Sequence, residues 1–175
     1  RILYNHIWHS EMNGEYIEQL YSSRRYRTII EHKNFNPRLI RFITDAQRLE
    51  DVPSESYWPH ITGLLDDPSQ VWDHPFQAQL DDCGRALVLL VAINGRLITE
   101  PELSEAFARY LANPGSASLT GKKDFLLNLR HLSGSMLTRF VVGESQPFIR
   151  LFNPSLGDFV LNRYASNTPV LRQCF

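Results

Sequence analysis

The sequence predicts a mainly α-helical chain in two parts, a small helical bundle and a larger helical domain that contains one β-hairpin. Three observations support this fold class. Residues 82–93 are an almost unbroken apolar run, and residues 1–47 hold four short amphipathic segments. Two β-patterned runs flank a turn at 143–146, which is the local signature of a hairpin.

The segment from Asp82 to Ile93 is the centre of the predicted core. Every residue from Ala86 to Ile93 is apolar, and a helix that is apolar on nearly every side must be buried on nearly every side. Asp82 is the expected N-cap. Gly95 is the expected stop, because glycine easily takes the left-handed turn after a helix. The run is shorter than the roughly 20 apolar residues that a membrane span needs, so no membrane association is expected.

The first 47 residues predict four short helices. The fourth has Asn36 as its N-cap and Pro37 at its first position, where the missing N–H costs nothing. None of these helices is long enough to be stable alone, so a bundle is expected over 1–47. Residues 48–81 are expected to connect this bundle to the next domain. Their predicted segments are a linker at 48–55 and helices over 56–65 and 68–80.

The order of elements after the apolar helix is informative. The predicted elements are a strand at 95–98, a helix at 99–111, a helix at 120–132, and hairpin strands at 136–142 and 148–152. Thr99 and Glu102 have the spacing of a capping box, and Asn153 with Pro154 begins a last helix. Helix, strand, helix, helix and hairpin is the order of a winged helix, a helix-turn-helix variant with a two-stranded wing. We predict it over 82–165, with a following segment beginning at 166–175.

Composition gives no global argument for a nucleic-acid or membrane partner, since the formal net charge is −1. Charge is nevertheless uneven. Residues 24–41 hold six Lys or Arg against one acid, whereas residues 45–82 hold nine acids against one base. The basic segment could bind phosphate or could be an ordinary solvated face. Cys83 and Cys174 lie far apart in sequence, which favours free thiols in a reducing, cytoplasmic compartment.

Two motifs suggest chemistry that their spacing does not support. GSASLTGKK at 115–123 looks like a phosphate-binding loop, but five residues separate Gly115 from Gly121 where the Walker A pattern has four. Lys123 stands where a Ser or Thr would bind Mg²⁺. His6 and His9 could both lie on one face of the first helix, but no third residue has the spacing of a metal ligand. We therefore expect no metal site, no catalytic residues and no enzyme activity in this chain, which we expect to be part of a longer protein.

A winged helix raises the question of DNA binding. The helix at 120–132 would read the bases, and its candidate contacts are Lys122, Lys123, Asn128, Arg130 and His131. Leu127 is predicted at the middle of the face that would meet DNA, where an apolar residue is more typical of a protein contact. The turn at 143–146 carries an acid and no base, which is unfavourable beside phosphates. Leu127 is therefore assigned to an interdomain contact, and nucleic acid is not the expected partner.

Three segments together resemble the novel STAND NTPase family of bacterial defence proteins. They are ILYNHIW at 2–8, HKNFNPRLIRFIT at 32–44 and FNPSLGDFVL at 152–161. In that family such segments belong to a helical lid and a winged helix that follow a P-loop ATPase core. The resemblance covers about residues 1–165, and the Walker A and B motifs of the core and the downstream sensor array are absent from this sequence.

The resemblance implies a nucleotide-sensing role for Asn36, Pro37 and Arg38, which match the lid motif over the bound nucleotide. A helix N-terminus that begins with Asn-Pro also favours an anion, and Arg38 adds a fixed charge. The alternative is an ordinary capped helix with a solvated arginine.

The resemblance also implies a switch motif in the winged helix. Asn153, Pro154 and Ser155 match it, with Asn153 where related proteins have a histidine. The alternative is a simple N-cap, with Asp158 favoured near the helix start by the helix dipole.

By resemblance, the chain is the regulatory lid and winged helix of a STAND-type NTPase. The parent protein would bind ATP or ADP with Mg²⁺ on its own P-loop ATPase core, and the chain itself would carry no cofactor. Nucleotide exchange would release the module, permit homo-oligomerisation and serve anti-phage defence. Two alternatives stay open: a winged-helix transcription regulator, and an interaction scaffold without a ligand.

Overall fold

The fold is mainly helical with a small three-stranded antiparallel sheet. The structure is a computed structural model that describes residues 1–143 and 146–174. The predicted fold class is confirmed at this level. The chain divides into two compact units, Arg1–Val71 and a second unit from Trp72 onward. Among the described residues, no helix has both the length and the apolar character needed to cross a bilayer.

The first unit is a bundle of short helices. They are α1 (Ile2–His9), α2 (Gly14–Tyr21), α3 (Tyr26–Glu31), α4 (Pro37–Ile43), α5 (Ala46–Leu49) and α6 (Tyr57–Asp66). The four helices predicted in the first 47 residues are confirmed. The predicted linker at 48–55 is wrong in part, because Leu49 is buried in the core of this unit. The Tyr16 hydroxyl also donates to the carbonyl oxygens of Leu49 and Val52, at 3.1 and 2.7 Å.

The second unit contains the sheet and the longer helices. Its elements after α7 (Ser69–Ala78) are α8 (Asp82–Asn94), β1 (Ile98–Thr99), α9 (Glu100–Ala112), α10 (Phe125–Leu132), β2 (Leu137–Phe140), β3 (Phe148–Leu151), α11 (Pro154–Tyr164) and α12 (Thr168–Arg172). The strand order is β1-β3-β2. Ile98 pairs with Ile149, and Leu137 pairs with Leu151. The strand β3 is therefore the central strand of the sheet.

The helix α8 is the centre of the second unit, as predicted. All residues from Ala86 to Ala92 are buried, and α8 packs against α9, α10, α11 and β3. Gly95 ends the helix with a φ of +66°, in the left-handed region that glycine tolerates. The predicted N-cap is wrong by one residue. Asp81 is the cap and accepts from the Gly84 N–H at 2.7 Å, so Asp82 is free to accept other bonds.

The helix α10 is shorter than predicted. It begins at Phe125, and Asp124 is its N-cap, with a carboxylate that accepts from the Leu127 N–H at 2.7 Å. Residues 120–124 are a loop. Gly121 has a φ of +109°, which is incompatible with a continuous α-helix. Of the turn predicted at 143–146, Glu144 and Ser145 lie outside the described residues.

Candidate functional site

The residues predicted to act in function lie in three places: the start of α4 in the first unit, the start of α11 in the second, and α10 with the loop before it. Each is described from its own contacts. A fourth place, a groove beside α11, was not predicted.

The start of α4 is held by a chain of buried hydrogen bonds from two asparagine side chains. The Asn34 side chain donates to the Leu65 carbonyl at 2.8 Å, and the Asn36 side chain donates to the Asn34 carbonyl at 2.9 Å. The Asn36 side-chain oxygen accepts from the Leu39 N–H at 2.8 Å. Pro37 has no N–H and the Leu39 N–H is already bonded to Asn36, so the first turn offers an anion fewer free donors than an uncapped helix start would. Asn36 acts as the predicted N-cap.

Arg38 is the residue of this motif that has the chemistry for an anion. Its side chain is partly buried at the start of α4. Burial, and then the charge of Arg41, lower the pKa of the Arg38 guanidinium from its usual range. Arginine stays protonated at physiological pH in any case. The lowered pKa reflects a guanidinium that is partly desolvated and lies near the positive charge of Arg41.

The start of α11 is a closed hydrogen-bond network. The Asn153 side-chain oxygen accepts from the Ser155 N–H at 2.9 Å and from the Ser155 hydroxyl at 2.7 Å. The Ser155 Oγ accepts in turn from the Trp72 indole N–H at 3.0 Å. All three side chains are buried. Asn153 and Ser155 therefore join α11 to α7, whereas Pro154 and Asp158 are exposed.

The loop before α10 is bound to the N-terminus of α8. The Thr120 N–H and hydroxyl donate to the Asp82 carboxylate at 2.7 and 2.5 Å, and the Lys122 N–H donates to Asp81 at 3.2 Å. Arg85 forms an ion pair with Asp82 at 2.5 Å. The Thr120 hydroxyl and N–H, followed by Arg85, lower the pKa of Asp82 to about 2. Lys122 is thus exposed on a loop beside two carboxylates.

The helix α10 presents a different surface from the predicted one. Asn128 is buried, and its side chain donates to the carbonyls of Lys122 and Asp124 at 2.5 and 2.8 Å. Asn128 therefore cannot contact a DNA base. Leu126 is 63% exposed, and Leu127 is half-buried. The later start of α10 moves Lys122 and Lys123 off the helix.

The basic candidates that are still exposed are Lys122, Lys123, Arg130 and His131. They share this part of the surface with Leu126 and with the exposed Asp124. This surface therefore has mixed chemistry, because a carboxylate and an apolar side chain lie among its basic side chains.

A groove of about 670 Å³ lies between the end of α8, β3 and α11. It is lined by Val91, Ala92, Gly95, Arg96, Leu97, Arg150, Leu151, Phe152, Pro154, Gly157, Asp158 and Leu161. A Cβ on Gly157 would lie 2.9 Å from Leu151 Cδ1, so the absence of a side chain there permits the close approach of α11 to β3. Among the predicted site residues, the groove brings together only Pro154 and Asp158.

Sequence reasoning missed the groove, although one signal was present. At about 100° per residue, Leu161 lies roughly 140° from Leu156 around α11, away from the buried face. An apolar residue on the outer face of a helix can be found from sequence. Arg96 and Arg150 also line the groove. Arg150 is on β3, directly before α11 in the chain, whereas Arg96 follows α8 and is brought near only by the fold.

In the described ranges, 1–143 and 146–174, no three His, Cys, Asp or Glu side chains are grouped as a metal site requires. Cys83 and Cys174 are free thiols. Comparison with family models, with curated proteins and with solved structures found no match to this chain.

Proposed function

We propose that the second unit is a winged helix and that the chain is the lid and winged-helix module of a STAND-type NTPase. The observation that carries the first part is the sheet order. A short strand after α8 pairs with the second strand of the hairpin, and two helices lie between them in the chain. This is the arrangement in which a helix-turn-helix carries a wing.

The surface of α10 supports a protein contact more than a DNA contact. Base-reading helices present hydrogen-bonding side chains to the groove, and phosphate contacts come from Lys and Arg. On α10 the amide of Asn128 is buried, and Leu126 is the most exposed apolar residue of the helix. Lys122 and Lys123 lie beside Asp81 and Asp124, whose charges oppose the approach of phosphates.

A binding assay distinguishes these partners. The chain should not bind duplex DNA tightly at physiological salt, as measured by fluorescence anisotropy over a range of salt concentrations. Micromolar or tighter sequence-selective binding that is lost in Lys123→Glu and Arg130→Glu would favour the transcription regulator instead.

Arg38 supports the nucleotide-linked part of the proposal. A partly buried guanidinium near Arg41 can form charge-assisted bonds with phosphate oxygens, each contributing about 1.5–3 kcal/mol. In the parent protein, Arg38→Ala should therefore weaken ADP or ATP binding about tenfold or more. Arg38→Lys should recover only part of this loss, because an ammonium lacks the planar fork.

The matched control is Arg27→Ala, which removes an exposed arginine from α3 of the same unit. Nucleotide affinity should be unchanged in this variant. If Arg38→Ala unfolds the 175-residue chain but leaves nucleotide affinity intact in the parent, Arg38 is structural and the nucleotide-sensing assignment is wrong. The reading frame that encodes the residues before Arg1 provides a second test, since the proposal requires a Walker A motif there.

The network at the start of α11 supports a conformational role for the switch motif rather than direct contact with a ligand. Ser155 and Asn153 are buried, and their side-chain oxygens already accept protein hydrogen bonds. We propose that Asn153 and Ser155 stabilise one packing arrangement between α7 and α11. A change in nucleotide state would act on that arrangement and not on these two side chains directly.

A further inference from the structure

The groove beside α11 has an apolar lining that includes several exposed side chains. Leu97 is 50% exposed, Leu161 is 41% exposed and Phe152 is 39% exposed. Leu151 and the last turn of α8 contribute further apolar surface. Clustered exposed apolar side chains with polar neighbours mark interaction sites more often than isolated ones do.

The charged groups of the groove are mainly positive. Arg96 and Arg150 line it, with Asp158 as the one carboxylate among the lining residues. Among the described residues, neither arginine belongs to an ion pair. Arg150 stacks over the Phe140 ring at 5.3 Å, which orients its side chain. A groove with this charge favours an acidic partner, although the chain as a whole has a net charge of −1.

The geometry of the groove favours side-chain contacts over strand addition. An extended peptide adds to a sheet through the free backbone groups of an edge strand. The strand that lines this groove is β3, which has β1 on one side and β2 on the other. The partner must therefore present its own apolar side chains to the groove.

A helix face is the form of partner that fits these conditions. Small-molecule sites bury most of their ligand, whereas the apolar lining here is open along Leu97, Phe152 and Leu161. An amphipathic helix presents apolar anchors three and four residues apart, with room for charged residues on either side. We propose that this groove binds the apolar face of an acidic amphipathic helix from a partner protein, with Arg96 and Arg150 contacting its carboxylates. This proposal does not depend on the nucleotide-linked function.

The test uses the full 175-residue chain and a labelled synthetic peptide. The peptide is a capped helix of about 16 residues, with leucines three and four residues apart and glutamates beside them. Fluorescence anisotropy should show saturable binding. A second peptide with glutamine in place of glutamate should bind several-fold more weakly, and its binding should depend less on salt.

Variants of the chain locate the binding surface. Leu161→Asp should weaken binding at least tenfold, and the double variant Arg96→Glu, Arg150→Glu should weaken it at least fivefold. The matched controls are Ile30→Asp on α3 and Arg109→Glu on α9, both at exposed positions outside the groove. Both should bind as the unmodified chain does. Unchanged melting temperatures by circular dichroism show that each variant is folded.

Three results would overturn the proposal. The first is the lack of saturable binding of the acidic peptide up to about 1 mM, which corresponds to about −4 kcal/mol. The second is equal affinity for the glutamate and glutamine peptides, which would exclude recognition of an acidic partner. The third is equal weakening by the groove variants and by Ile30→Asp and Arg109→Glu, which would exclude this groove as the binding surface.

Discussion

Replacing Ser155 by alanine should destabilise the second unit by more than the same replacement does at an exposed serine. The hydroxyl lies at the centre of the network, where it accepts from the Trp72 indole and donates to Asn153. Alanine removes the acceptor of a buried indole N–H and one of the two bonds to the Asn153 oxygen. The second of those bonds, from the Ser155 N–H, is kept.

The expected loss is about 1–3 kcal/mol in the free energy of unfolding, which is the cost of a buried donor that loses its acceptor. Urea unfolding followed by circular dichroism measures it. The matched control is Ser133→Ala, because Ser133 is exposed and its hydroxyl donates only to the Leu129 carbonyl. This control should change the unfolding free energy by no more than about 0.5 kcal/mol.

A double-mutant cycle with Trp72→Phe tests whether the loss belongs to the indole bond. Phenylalanine lacks the indole N–H, so Ser155→Ala should cost less in the Trp72→Phe background than in the unmodified chain. The difference between the two costs is the coupling energy, expected to be about 1 kcal/mol. A coupling near zero, or a Ser155→Ala loss below about 0.5 kcal/mol, would refute the reasoning.

Two further predictions concern α8. Leu89→Ala should lower the free energy of unfolding by about 2–5 kcal/mol in urea unfolding, because Leu89 is buried on the central helix; a loss below about 1 kcal/mol contradicts that position. Stability should also decrease as the pH falls from about 4 to about 2. The Thr120 and Arg85 bonds hold the pKa of Asp82 at about 2 when folded, below its usual range, so acidification protonates the unfolded chain first. Asp82→Asn should flatten this part of a pH series of urea midpoints, and an unchanged slope contradicts the assignment.

Local chemistry made much of the fold predictable. The apolar run of α8 predicts its burial, and the capping box of Thr99 and Glu102 is present as expected. Asn36 and Asn153 both cap helices that begin with proline. In each case the signal lies within a few residues, so one stretch of sequence is sufficient to identify it.

The errors occur where distant residues decide a local conformation. The loop at 120–124 is polar and directly precedes the amphipathic residues of α10, and the sequence prediction joined the two as one helix. The Asp81 and Asp82 carboxylates instead bind the Thr120 and Lys122 N–H groups from about forty positions away. Adjacent aspartates also make the N-cap of α8 ambiguous, because either could accept the first-turn N–H. The close approach of Gly157 to Leu151 is another long-range effect, and the groove depends on it.

The two motifs matched by family resemblance have different physical roles in this structure, and this limits how a nucleotide could act through them. At the start of α4, Asn36 forms the cap and Arg38 is a partly desolvated cation. Under the proposed function, a phosphate at Arg38 would leave the Asn36 cap bond intact. At the start of α11, a phosphate that reached Ser155 would first have to displace the Trp72 indole from a buried bond. A phosphate that contacted Ser155 directly would therefore replace an existing protein hydrogen bond and add none. Under the proposed function, binding at Arg38 and repacking around Ser155 would therefore be separate steps, and only the first would require contact with the nucleotide.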